Sequence, residues 1–192
     1  MEILTFDQLP QGGFAGLIEK QFVKDSKVFP RQRKGIAANG IGNFVYLADA
    51  NFSPKGETGM HGHSEIDVIS IMVEGGVSHA GSLGHGKSLT AGQAQVQRAG
   101  GEGFSHNEIN PDTKPNQLIQ LWVLPESAGE KAGYKVYSPK KNELMAIYGG
   151  NKNQDKTFDS HTHIQYANTD ANIEVEQTGE VLAYLSKGSG VI

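Results

Sequence analysis

The stretch "NQLIQLWVLP" (Asn116–Pro125) alternates along its length and ends in a helix-breaking residue. Ile119, Leu121 and Val123 fall on one side of an extended chain, and Leu118, Gln120, Trp122 and Leu124 on the other, because successive strand side chains leave opposite faces. The same reading extends outward to "NFVYLAD" (Asn43–Asp49), "DVISIMVEG" (Asp67–Gly75) and "GQAQVQRAG" (Gly92–Gly100), which mix β-branched or aromatic residues with polar ones. Turn-forming groups such as "EGG", "GSLGHGK", "TAG" and "NPDTKPN" separate these runs, and the 25 glycines punctuate the chain throughout. Few segments keep a helical period. The predicted fold class is all-β, a barrel or a sandwich.

The pattern weakens at "SAGEKAG" (Ser127–Gly133), a plausible boundary. Beyond it "YKVYS", "ELMAIYGG", "THIQYANTDANIEVEQ" and "EVLAYLSKGSGVI" read as further short strands, too few to close a second barrel. Either the N-terminal segment completes this second sheet, or the second unit is incomplete and leaves an exposed edge for pairing.

The chain has 192 residues, enough for one large or two small domains with a real core. Hydrophobic residues at 37% and charged residues at 20% exclude a disordered or membrane composition, and no apolar run approaches the ~20 residues of a spanning helix. The opening "MEILTFDQLPQGG" does not read as a signal peptide, so the expected location is the cytoplasm, with no membrane partner. A formal net charge of −4 argues against direct nucleic-acid binding. The short basic cluster "PRQRKG" (Pro30–Gly35) reads as a solvated loop, with an anion contact as the lesser alternative. There are no cysteines, which leaves His, Asp and Glu as the only strong metal ligands.

Those ligands are patterned. In "GMHGHSEID" (Gly59–Asp67), His61 and His63 are two apart, so on a strand both imidazoles leave one face. A lone His-x-His is more often structural than ligating. "GEGFSHNEIN" supplies a second same-face pair, His106 and Glu108, after glycines 101 and 103 that permit a tight turn. Two such pairs on two strands converge as three imidazoles and one carboxylate, a set suited to Fe(II), Mn, Ni, Cu or Zn rather than Mg or Ca. His79 and His85 bracket a turn and read as hairpin or solvent contacts. His161 and His163, in "SHTHIQ", repeat the His-x-His spacing with no histidine after them, and read as structural.

"HGHSEIDVISIMVEGGVSHAGSLGHG", then "LTAGQAQVQRAGGEGFSHNEIN" and "NQLIQLWVLPE", resemble the pirin branch of the cupin superfamily in order and spacing over Gly59–Glu126. The resemblance implies a cupin double-stranded β-helix barrel in a bicupin arrangement. Its N-terminal metal-binding domain would span residues 1–130, and a second, incomplete cupin-like domain residues 131–192. It further implies His61, His63, His106 and Glu108 as ligands to one divalent ion, Fe(II) foremost. Gly62 stands where the family commonly has proline, Asp67 where it usually has glutamate, and Ile71 where tyrosine is frequent, changes that bear on the pocket rather than the ligands.

Two functions follow as expectations. One is a dioxygenase similar to quercetin 2,3-dioxygenase-type bacterial pirins, taking dioxygen and a flat aromatic substrate. In it Glu108 acts as general base, and Phe104 and Trp122 are candidate wall residues; both read equally as ordinary core, which for Trp122 is the better reading given its strand pattern. The other is a regulatory protein that binds a transcription factor or metabolic enzyme, its metal structural or redox-sensing. Fold analogy alone does not choose between them.

Overall fold

The computed structural model describes residues 1–30 and 35–191. Arg31–Lys34, the heart of the basic cluster, lie outside the described residues, and so does the loop-or-anion reading made for them. Thirteen strands carry the described chain: β1 (Gly12–Phe14), β2 (Leu17–Lys24), β3 (Phe44–Phe52), β4 (His61–His63), β5 (Asp67–Glu74), β6 (Gly76–Gly81), β7 (Ser88–Thr90), β8 (Ala94–Arg98), β9 (Phe104–Ile109), β10 (Gln117–Val123), β11 (Gly133–Tyr137), β12 (Leu144–Gly150) and β13 (Ser160–Ala167). The only helical element among them is a single 3-10 turn at Phe6–Gln8. The fold is all-β, as the alternation predicts.

The strands form a seven-stranded sheet in the order β1-β2-β3-β10-β5-β8-β11, a four-stranded sheet β4-β9-β6-β7, and a two-stranded sheet β12-β13. The stretch that opened the reading is the middle strand of the large sheet, and both of its faces are used. On one face Leu121 sits between Leu47 and Ile69, and Ile69 in turn opposite Val96. This apolar ladder packs against Ile147 and Tyr148 of β12, both fully buried. On the other face the row Ala48-Gln120-Ser70-Gln95, polar after its alanine, lies next to a row made of Tyr46, Trp122, Val68 and Gln97. That second face looks across to the four-stranded sheet, and the space between the two sheets is the barrel interior. Leu17, Phe52, Met72, Val77, Leu89 and Leu118 fill one part of it with an apolar cluster.

Residues beyond 130 do not begin a separate sheet at once. β11 pairs with β8 as the last strand of the large sheet. β12 and β13 pair only with each other, and the N-terminal strand β1 joins β2 rather than completing that small sheet. The alternation in "ANIEVEQ" and "EVLAYLS" does not become strand: residues 168–191 carry no ladder, since an extended segment without a neighbour has nothing to pair its backbone with. Tyr184 and Lys187 of this segment return to the large sheet. Tyr184 packs on Phe22, ring centroids 4.8 Å apart, and donates to Asp49 at 2.7 Å, and Lys187 pairs with Glu74 at 2.8 Å.

One buried ionic group ties the small sheet to the large one. Asp67 and Arg98 are cross-strand partners, and Arg98 Nε donates to Asp67 Oδ2 at 3.1 Å. Tyr148 Oη donates to the same oxygen at 2.7 Å, while the guanidinium also reaches Asp159 Oδ1 at 3.0 Å. Burial pushes the Asp67 carboxyl up from the ordinary carboxylate range, and Tyr148 and Arg98 pull it back. The aspartate at this position therefore serves packing between sheets.

Candidate metal centre

β4 and β9 are antiparallel neighbours, with His61 opposite His106 and His63 opposite Phe104. Directly opposed residues share a face, and residues two apart on one strand share it as well. The register therefore carries His61, His63, His106 and Glu108 to the barrel-facing side. β6 adds His79 opposite Glu108. The turn into β9 is as tight as the glycines suggest. Gly103 has a φ of +71°, and a Cβ there would lie 2.8 Å from the His63 carbonyl oxygen, so no other residue fits without moving β4.

Three imidazoles meet. His106 Nε2 lies 3.0 Å from His61 Nε2 and 3.2 Å from His63 Nε2. Ligands ~2.1 Å from one ion and at right angles to each other are ~3.0 Å apart, and at the tetrahedral angle ~3.4 Å, so these separations fit three donors of one metal. His61 Nδ1 faces the Gly59 carbonyl at 2.9 Å, which holds that proton and leaves the Nε2 lone pair free. His106 Nδ1 faces the Gln97 carboxamide at 3.2 Å, and Gln97 Oε1 is buried without a partner among the described residues. A half-turn of that amide puts Oε1 on the imidazole N–H and gives His106 the same arrangement.

The electrostatics favour neutral donors. Burial, followed by the neighbouring His61, lowers the His63 pKa to about 4, and burial with the adjacent imidazoles lowers that of His106 to about 2. Glu108 is almost wholly buried, and its Oε1 accepts from Ser70 Oγ and Gln95 Nε2, both at 2.9 Å. Its carboxylate lies outside the group of donor atoms formed by the three histidines, although His61 is near enough to act on its charge. Burial pushes the Glu108 pKa up. A buried carboxylate is costly without a cation, and a divalent ion among the Nε2 atoms would supply one. The residues present fit such a group.

Aromatic residues flank the histidines. Phe104 lies 5.1 Å from both His63 and His106, ring to ring. Trp122, on the barrel-facing side of β10, stands edge-on to His63 at 5.8 Å and stacks on Tyr46 at 4.5 Å and Phe29 at 5.8 Å. Its Nε1 is buried with no acceptor among the described residues. A groove of about 500 Å³ runs past His63 along Ser64, Ser82, Gly103 and Ser105.

The remaining histidines separate. His79 is buried and donates from Nε2 to the Leu83 carbonyl at 2.7 Å, a hairpin contact, with its ring 5.4 Å from His106. His161 and His163 lie on the exposed side of β13, and His161 Nδ1 meets Glu126 at 2.9 Å. Spacing alone did not reveal Ser70, Gln95 and Gln97, which line the interior, or Tyr134, whose hydroxyl donates to Gln95 Oε1 at 2.9 Å. The signal for the glutamines was the alternation in "GQAQVQRAG", whose polar face points inward.

The family model described as Pirin matches residues 31–123, and the cupin barrel with its histidine cluster lies within that span or packs on it. Over that span the chain resembles the pirin-like cupins. Curated relatives include the quercetin 2,3-dioxygenase of Escherichia coli K12, 35% identical over 78 residues, which are 40% of this chain and 33% of the relative. A pirin-like protein of Caulobacter vibrioides is 31% identical over 81 residues, 42% of this chain and 34% of the relative. Such matches span well under half the length of these relatives. Among solved structures, the bacterial pirin YhhW of E. coli in complex with nickel(II) superposes with a TM-score of 0.67 at 19% identity, covering 83% of this chain and 67% of that one. A quercetin 2,3-dioxygenase from Acinetobacter baumannii gives 0.56 at 19% identity, covering 81% of this chain and 58% of that one. At these identities the likeness is one of fold. Among the described residues of this pirin-like chain, no helix is long and apolar enough to cross a membrane.

Proposed function

We propose that this chain is a metal-dependent dioxygenase acting in the cytoplasm on a flavonol-like, planar aromatic substrate, with one Fe(II) held by His61, His63, His106 and Glu108. The observation that carries the reading is the convergence of three imidazole Nε2 atoms at 3.0 and 3.2 Å, beside a buried carboxylate and between aromatic walls. The relatives named as quercetin 2,3-dioxygenases support the substrate class.

When bound, the metal supplies Lewis acidity toward a substrate hydroxyl and the means of activating dioxygen. The protein's own residues do the rest. The His63 and His106 imidazoles stay neutral through burial and present lone pairs without prior deprotonation. Glu108, whose proton affinity is raised by burial, accepts the proton of a substrate hydroxyl at a carboxylate oxygen as general base. Ser70 and Gln95 hold that carboxylate in place. Phe104 and Trp122 present flat apolar surface to an aromatic ring, and the orphan Trp122 Nε1 offers a donor to a ligand oxygen.

The test is metal analysis of the purified chain coupled to oxygen uptake with quercetin, started anaerobically. One transition metal per chain with oxygen consumption supports the proposal. One metal without uptake moves the function to the regulatory alternative, in which the centre serves as a structural or redox element in a protein partner's complex.

A further inference from the structure

The β1–β2 hairpin carries an aromatic ring that neither the fold nor the histidine set requires. Phe14 pairs with Leu17 across the hairpin, so both side chains leave the same face. Leu17 is buried in the apolar part of the barrel, which places Phe14 on the barrel-facing side too. Yet Phe14 remains 50% exposed, and its ring contact is with His61, edge-on at 6.3 Å. Met60, the residue before His61, is 62% exposed as well. An inward-facing ring beside a metal-ligating imidazole and left half in water is a surface awaiting a partner.

The hairpin is fixed in that position. Gly16 N donates to the Glu57 carbonyl at 3.1 Å, and Ser53 N donates to the Gly16 carbonyl at 3.0 Å. A Cβ on Gly16 would stand 2.7 Å from Glu57 N and 2.8 Å from the Gly56 Cα, so only glycine lets the turn close on the segment leading to His61. The adjoining Ala15 takes a left-handed φ of 49°, which is uncommon outside glycine. Tightly held backbone thus presents Phe14 at the His61 end of the cluster. At the His63 end stands the packed group of Trp122, Tyr46 and Phe29. The centre therefore lies between a filled aromatic wall and an unfilled one.

We infer that Phe14 is the specificity-determining residue of the centre, stacking on a planar aromatic ligand as it reaches the histidines and selecting it over small non-aromatic donors. The inference rests on the aromatic-substrate reading above and names one residue that enforces it. Offset stacking plus the burial of apolar rim surface gives the selectivity its physical basis.

The chain has a single tryptophan, and its place beside His63 makes it a reporter of occupancy. The experiment loads the full chain with Ni(II) under nitrogen. Quercetin binding is followed by Trp122 fluorescence, and azide binding by the visible absorption of the metal. Phe14→Ala is expected to weaken quercetin about tenfold, the equivalent of one well-made aromatic contact, with azide affinity and metal content unchanged. Phe14→Leu, which keeps apolar bulk without the ring, is expected to fall between Ala and the parent. Quercetin binding by the parent chain that Phe14→Ala leaves within about twofold overturns this inference alone, a twofold change lying below one such contact. So does loss of metal in Phe14→Ala or full affinity in Phe14→Leu, because either makes the ring a mere support. Failure of the metal-loaded parent chain to bind quercetin overturns the functional reading together with this one.

Discussion

The chain contains His-x-His twice, and the two copies come to opposite ends. His61 and His63 lie on β4, beside β9, inside a barrel whose other wall supplies Ser70, Gln95 and Gln97. His161 and His163 lie on β13, in a two-stranded sheet whose inward face, with Ile164 and Tyr166, packs on the large sheet while the histidines point out. His161 is 95% exposed and is engaged by Glu126. Both pairs obey the same strand geometry. What differs is the neighbour: β9 brings a further imidazole to the first pair, and no third imidazole joins the second among the described residues. Spacing makes two histidines parallel; only a second strand makes them a site.

The comparison breaks most sharply under truncation of the first pair's partner. His106→Ala removes the atom that lies against both His61 and His63, and metal content per chain should fall by tenfold or more, a loss on the order of one metal ligand's contribution. Retained metal would dissolve the distinction between the two pairs. Glu108→Gln should hold more metal than His106→Ala while losing oxygen uptake, since the amide keeps the Ser70 and Gln95 neighbours but accepts no proton. Unchanged turnover there would take Glu108 out of the chemistry.

Acid sharpens the contrast by a smaller amount. The His63 pKa is lowered in the fold to about 4, so above its ordinary value near 6.5 the group is neutral in folded and unfolded chains alike and contributes nothing to pH dependence. Below that value the unfolded chain takes a proton that the folded chain refuses, and stability falls as pH drops from about 6.5 toward 4. Thermal melting of the metal-free chain and of His63→Asn across pH 8 to about 4.5 measures this, with the variant expected to show the shallower decline over the same window. Equal slopes would mean His63 is not held neutral by its surroundings. The smallest effect belongs to the exposed pair: His161→Ala with His163→Ala should leave metal content as it was, and loss of an equivalent would show that β13 contributes a ligand.

Much of this was readable beforehand. The period-two runs at 67–75 and 116–125 became β5 and β10, because alternation and strand geometry are the same fact. The three converging histidines were legible for the same reason. Alternation does not say which face is the interior, however. In "GQAQVQRAG" the apolar residues Ala94 and Val96 pack outward against β12 and β13, and Gln95 and Gln97 are the fully buried lining of the barrel. Polar residues inside a barrel read as a solvent face until the opposing sheet is known. Trp122 reads better as ordinary core on the same ground: both faces of β10 are covered, and the ring packs on a core cluster while its own face is the one beside His63. Phe14 carried no signal, since a three-residue strand before a tight turn is too short for a pattern. The tail beyond 167 had the alternation of a strand and found no neighbour to pair with.

The central claim is that His61, His63 and His106 hold one metal, and elemental analysis after reconstitution with Fe(II) under nitrogen tests it directly. The account predicts close to one iron per chain, retained through the double change at His161 and His163 and lost with His106→Ala. Iron absent after reconstitution, or present equally in His106→Ala, would contradict it.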